Sequence, residues 1–150
     1  MKTDYMGEFD LSGRVAAITG AAGELCGVMS CALGSLGVRV ALLDIDRDKA
    51  EEKAREVREN GGEALALKCD VLDRNSLEKA LKHISDQWGE PQILINGAGG
   101  NHPKGTTDNE FLETADLENN DIKNFFNLPI EGFNKVFDLN LIGTVLPTQV

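Results

Sequence analysis

Thr19–Ser30 reads TGAAGELCGVMS, with glycines at 20, 23 and 27. The run leading into it, RVAAITG (14–20), is short, apolar and ends on glycine, the pattern of a strand buried on both faces. The run leading out, LCGVMSCALGSLG (25–37), carries small and apolar residues at helical spacing and stops on Gly37, a C-capping glycine. A glycine turn between strand and helix has two readings. Gly20 permits a tight turn and Gly23 lets a ligand approach bare backbone, so that the amides opening the helix, near Leu25, can hold a pyrophosphate. The same glycines also suit a plain strand-to-helix turn.

Downstream the alternation repeats. VRVALLD (38–44) reads as a second buried strand, and DRDKAEEKAREVRENGG (46–62) as a charged helix capped by Asp46 and stopped by Gly61-Gly62. Its apolar stripe is thin: Ala50, Ala54 and Val57. EALALKCDV (63–71) is a third strand. DRNSLEKALKHISDQWG (73–89) is a helix that Asp73 can cap, with Leu77, Ala80, Leu81, Ile84 and Trp88 on its buried face. PQILINGAGG (91–100) is a fourth strand running into glycines. Strands and helices alternating at these lengths predict an α/β fold, a doubly wound parallel sheet with right-handed crossovers.

The pattern breaks at NHPKGTTDNEFLETADLENNDIKNFFNLP (101–129), which is rich in Asn, Asp and Glu. A connection this long in a compact domain is expected to be a functional or flexible loop. From Pro129 helical spacing returns, with Ile130, Phe133, Val136, Phe137 and Leu141 on one face. Val150 falls inside that helical pattern, so residues 1–150 are expected to be the front part of a longer chain: one nucleotide-binding domain with a polar insertion at 101–129.

Bulk properties narrow the function. The 150 residues carry a formal charge of −10. That balance argues against nucleic acid, whose phosphates require a basic face, and equally against a polybasic membrane contact. No apolar run approaches the roughly 20 residues of a membrane span. The N-terminal MKTDYMGEF has acidic residues and lacks a signal peptide's apolar stretch, so a cytoplasmic location is the expectation. Cys26, Cys31 and Cys69 are odd in number and without metal-ligand spacing, which points to reduced thiols and no metal site.

In open parallel sheets ligands bind outside the carboxyl ends of the strands. Four features of this sequence fall there: the glycine turn, Asp44, Asp70 and the Asn96-Gly97-Ala98-Gly99 stretch. Asp44 stands 24 residues after Gly20, near the ~20-residue offset of a ribose-binding acid. Its carboxylate can accept from the 2′- and 3′-hydroxyls of adenosine ribose and repels a 2′-phosphate, which favours NAD over NADP. Helix capping, its other use, can fall to Asp46. For Asp70, a bond to the adenine amino group and a cap on the next helix both stay open.

Together TGAAGELCG, Asp44, Cys69-Asp70-Val71, Asn96-Gly97-Ala98-Gly99 and Asp138-Leu139-Asn140-Leu141 resemble the short-chain dehydrogenase/reductase family, from about Leu11 to the end. The resemblance implies a Rossmann-like domain, hydride transfer between NAD(P) and a carbonyl or alcohol, and a homotetramer or homodimer. It places Gly20, Gly23 and Leu25 at the pyrophosphate, Asp44 at the adenosine ribose and Asp70 with Val71 at the adenine. Asn96 and Ala98 are placed on the nicotinamide ribose side. Asn140 matches the family's helix asparagine, which opens the local backbone and organises a water joined to the catalytic lysine. ILINGAGGNHPKGTT, the Leu25-Cys26 pair and the long polar segment resemble the D-mannonate oxidoreductase (fructuronate reductase) branch. That branch implies a sugar-acid substrate, D-mannonate or D-fructuronate.

The sequence also departs from the family. Gly97 stands where most members have a second asparagine, and Glu24 and Cys26 stand where most have glycine. A Cβ at position 26 narrows the approach to the pyrophosphate. The family's catalytic serine and Tyr-x-x-x-Lys lie downstream, and the sole tyrosine here is Tyr5. If the 150 residues were complete, the alternative would be a non-catalytic nucleotide-binding or interaction module. His83 is expected as a helix-surface residue and His102 as a loop histidine. Lys104 is open between a loop charge and a sugar-acid carboxylate partner. The acidic residues of 108–121 lack calcium-loop spacing.

Overall fold

The computed structural model describes residues 10–150, so Tyr5 and the N-terminal stretch read above lie outside the described residues. Four strands form one parallel sheet in the order β3-β2-β1-β4: β1 Val15–Thr19, β2 Arg39–Asp44, β3 Glu63–Lys68 and β4 Ile93–Asn96. Between them run α1 (Glu24–Ser35), α2 (Arg47–Glu59) and α3 (Arg74–Trp88). Beyond β4 come a 3₁₀ turn at Pro103–Gly105, the short α4 (Thr114–Glu118), α5 (Ile130–Phe137), a π-helical turn at Asp138–Ile142 and α6 (Gly143–Gln149).

The strands are apolar on both faces because both faces are covered. Ala16, Ile18, Val40 and Leu42 pack with Cys26 of α1 and with Ala50 and Ala54 of α2. Their sequence neighbours Val15, Ala17, Ala41 and Leu43 point the other way, onto Leu77, Ala80 and Ile84 of α3, with Leu146 of α6 at the margin. Strand alternation thus divides one apolar run between two cores, as a doubly wound sheet requires. Asp46 and Asp73 cap α2 and α3 as expected, accepting from Lys49 N and Asn75 N. α1 and α2 meet closely at Gly34, where a Cβ would stand 2.5 Å from Val57 Cγ1.

Three expectations need correction. The third strand stops at Lys68 rather than Val71, because its partner β2 ends opposite it at Asp44. A single bond, Cys69 N to the Asp44 carbonyl, continues the ladder. The fourth strand is shorter at both ends than 91–100: Pro91 has no amide to give, and the Gly97–Gly100 segment turns out of the sheet. The helix from Pro129 is not continuous. The π turn inserts between α5 and α6, and Ile130, Phe137 and Leu141 of the expected apolar face are exposed. The inward side of α5 is set by Gly132, where a Cβ would stand 2.0 Å from the Lys104 carbonyl oxygen. The helix is seated directly on the backbone of the 3₁₀ turn. Among the described residues no helix is long and apolar enough to cross a membrane.

Candidate functional site

The carboxyl ends of β1, β2 and β3 and the turn after β4 open into one cleft of about 570 Å³, within the ~300–1,000 Å³ typical of small-molecule sites. Gly20, Gly23, Asp44, Asp70, Val71 and Ala98 all line it, joined by Lys49 and Leu139. Leu25 and Asn96 do not. Leu25 is on the first turn of α1 with its side chain 77% exposed. Asn96 turns away from the cleft, its Nδ2 donating to Thr148 Oγ1 of α6 at 3.0 Å.

Each lining residue is there for a local reason. Gly20 adopts φ +64°, and a Cβ on it would lie 2.7 Å from both N and Cα of Ala98. Only glycine combines that backbone conformation with so close an approach of two turns. Gly23 precedes α1 in extended conformation, leaving the first amides of a 12-residue helix facing the cleft end of the sheet. Such amides have no partner within the helix and favour an anion. The Asp44 carboxylate is fixed on both oxygens: Oδ2 accepts from Ala22 N and Oδ1 from Asp46 N, each at 3.0 Å. It joins the end of β2 to the glycine turn, and each oxygen keeps acceptor capacity for a hydroxyl. Asp70 is not the cap of α3, since Asp73 is. Its Oδ1 accepts from Leu72 N at 2.9 Å, closing a turn that presents Val71 to the cleft.

Two positions shape the far rim: Thr19, which sequence reasoning passed over, and Asn140, which the family resemblance had named. Thr19, fully buried, accepts through Oγ1 from both Gly97 N (3.1 Å) and Ala98 N (3.3 Å). The signal was a hydroxyl residue at the end of an apolar strand, directly before the glycine. Asn140 sits in the π turn and clamps the next peptide along: Nδ2 donates to the Gly100 and Val136 carbonyls, both at 2.8 Å, while Oδ1 accepts from Gly100 N at 3.1 Å. A π turn inserted in a helix is a common mark of a functional position.

Other candidates are occupied. His102 Nδ1 accepts from Lys104 N and caps the 3₁₀ turn. Lys104 Nζ pairs with Glu131 at 3.1 Å, so it is not a free cation for a carboxylate. Burial, helped by the nearby Asp44 charge, pushes the Cys26 thiol above its ordinary range. Burial does the same to Cys69. Neither suits a nucleophile. Among the described residues no group of three His, Cys, Asp or Glu could hold a metal ion.

A parallel sheet with a glycine turn at a helix N-terminus, a fixed carboxylate at the end of the second strand and a turn after the third beside it define a Rossmann-like α/β protein. The model of the short chain dehydrogenase family matches residues 14–150, and the chain belongs to that family. It is 42% identical over 141 residues to an uncharacterized oxidoreductase of Haemophilus influenzae, covering 94% of this chain and 49% of that protein. The same identity and coverage relate it to an uncharacterized oxidoreductase of Bacillus subtilis, UxuB. The chain therefore spans about half the length of these relatives. Among solved structures it is similar to a candidate D-mannonate oxidoreductase from Haemophilus influenzae with bound NAD, at TM-score 0.88 and 42% identity. That match covers 94% of this chain and 50% of the other.

Proposed function

We propose that the complete protein is an NAD-dependent oxidoreductase that moves hydride between the nicotinamide and a sugar acid, D-mannonate or D-fructuronate. The observation that carries the cofactor is Asp44, held on both oxygens at the end of β2 and lining the same cleft as Gly20 and Gly23. The cleft fits such a group because its floor is backbone where a Cβ would collide and its β2 wall is an anion. When bound, the nicotinamide supplies the hydride acceptor or donor. The amides opening α1 hold negative charge at the pyrophosphate, and Asp44 accepts from ribose hydroxyls and repels a 2′-phosphate. Asp70 and Val71 form the adenine end. Ala98 stands at the nicotinamide end, with Asn140 behind it holding Gly100. The roles assigned to Leu25 and Asn96 are positional at most: Leu25 contributes its amide, and Asn96 supports the rim through α6.

The sugar-acid assignment rests on the likeness to the NAD-bound candidate D-mannonate oxidoreductase and on the 93–107 stretch and the Leu25-Cys26 pair. A homodimer or homotetramer in the cytoplasm completes the proposal. The test is a panel of hexuronates with NADH and aldonates with NAD, using the complete protein. Turnover of D-fructuronate or D-mannonate above the other sugar acids is expected. No turnover of either would remove the substrate assignment while leaving the cofactor site to its own test.

A further inference from the structure

Gly97 and Cys26 lie in different turns of the cleft, one after β4 and one in the first turn of α1, and their sizes are matched. A Cβ on Gly97 would stand 2.1 Å from Cys26 Sγ and 2.8 Å from the Thr19 carbonyl oxygen. No side chain fits at position 97 while Cys26 is in place. Cys26 is itself only 7% exposed, so its thiol fills that space instead of facing solvent. The rest of the segment is held from other directions: Thr19 Oγ1 takes the amides of Gly97 and Ala98, Gly20 abuts Ala98, and Asn140 holds Gly100. The sulfur faces Gly97 from α1.

We propose that Cys26 is a positioning residue for the nicotinamide-side rim: its thiol occupies the side-chain space of position 97 and sets where the Gly97–Gly99 backbone stands against the Gly20 turn. The two departures from the family pattern, a side chain gained at 26 and one lost at 97, are then a single exchange of volume across the cleft. The proposal rests on the cofactor reading above. It concerns the end of the cleft at the turn after β4, whereas Asp44 stands at the end of β2 and Asp70 and Val71 in the turn after β3.

The test compares NAD with 5′-AMP, which carries the adenosine and one phosphate but lacks the nicotinamide half, by titration of the complete protein and its Cys26→Gly, Cys26→Ser, Gly97→Ala and Cys26→Gly/Gly97→Ala variants. Cys26→Gly is expected to weaken NAD severalfold while 5′-AMP stays unchanged, and Cys26→Ser to restore most of the NAD affinity. Gly97→Ala overpacks the site and is expected to weaken NAD by about tenfold or more. The double variant is expected to bind NAD better than Gly97→Ala alone, and to melt higher. Additive losses, or equal effects on NAD and 5′-AMP, would overturn the proposal. If Gly97→Ala does not fold, failure of the double variant to restore folding counts against it equally. Absence of NAD and 5′-AMP binding in the parent protein would sink the cofactor reading itself, a separate result from normal binding with no coupling.

Discussion

At the strand ends, backbone conformation follows from apolar strands and bare glycines, whereas between Gly100 and Ile130 the chain is tied by the side chains of asparagine and aspartate. The cleft's turns approach each other directly, Gly20 against Ala98, with Thr19 and Asp44 as the main polar fasteners. The excursion has almost no apolar core. Phe111, Phe125 and Phe126 are all exposed. Buried Asp116 accepts from Asn109 Nδ2 and Glu113 N, and buried Asn124 donates to the Asp116 carbonyl and accepts from Phe126 N. Asp108 and Lys123 pair through backbone and side chain and close the loop on itself. Packing makes the first region cooperative with the whole sheet. Polar ties make the second a local unit, whose opening need not cost the global unfolding free energy.

The largest effect should come from breaking the first region. Gly20→Val places a β-branched side chain at φ +64° and against the Ala98 backbone. Strain and overpacking together should cost about 2–5 kcal/mol. Denaturant unfolding is expected to shift by that amount, and NAD titration to show no saturable binding. Near-native stability with intact binding would mean that the two turns need not meet.

A smaller and local effect is expected from Asp116→Ala, which leaves the Asn109 amide and Glu113 N–H without their acceptor at a cost of about 1–3 kcal/mol. Hydrogen exchange should quicken within 107–127 while β1–β4 keep their protection and NAD affinity stays within about twofold. Loss of protection across the sheet would erase the distinction between the regions.

The smallest effect concerns acid. Hydrogen bonds from Lys104 and then Lys135 hold the Glu131 carboxyl below its usual range, and the Lys123 backbone and side chain do the same for Asp108. Groups depressed on folding stabilise above their unfolded pKa, and that contribution is lost as pH falls through the folded value. Both carboxylates are exposed, so salt and solvent keep the effect slight. Exchange in 103–132 should therefore quicken below about pH 4 before the sheet responds, and Glu131→Gln should remove part of that dependence. An excursion insensitive to acid until global unfolding would show that these pairs do not hold it.

The two regions also differ in how far their sequences disclose them. The sheet and helices were legible because burial on two faces leaves apolar runs and helical stripes that one can count. The cleft's glycines and acids stand out because they fall at strand ends. Asn140 was legible through family resemblance alone; no periodicity marks a π turn. The tie between Cys26 and Gly97 was invisible because complementary volume between distant residues leaves no local pattern. The architecture of 101–129 was hidden for a similar reason. Asn and Asp bonds to backbone three to fifteen residues away have no period, so the stretch reads only as polar. The apolar face of the last helical segment was misjudged because Gly132, not a large side chain, sets which side packs.

We propose that the strand-end cleft is an NAD site whose coenzyme choice is made by Asp44. Parallel titrations of NAD and NADP into the complete protein and its Asp44→Ala variant test it most directly. A charge-assisted bond and the repulsion of a 2′-phosphate should together favour NAD by about tenfold or more in the parent. In the variant NAD should weaken and NADP gain, closing most of that gap. Equal affinities in the parent, or a preference untouched by removal of the carboxylate, would contradict the account.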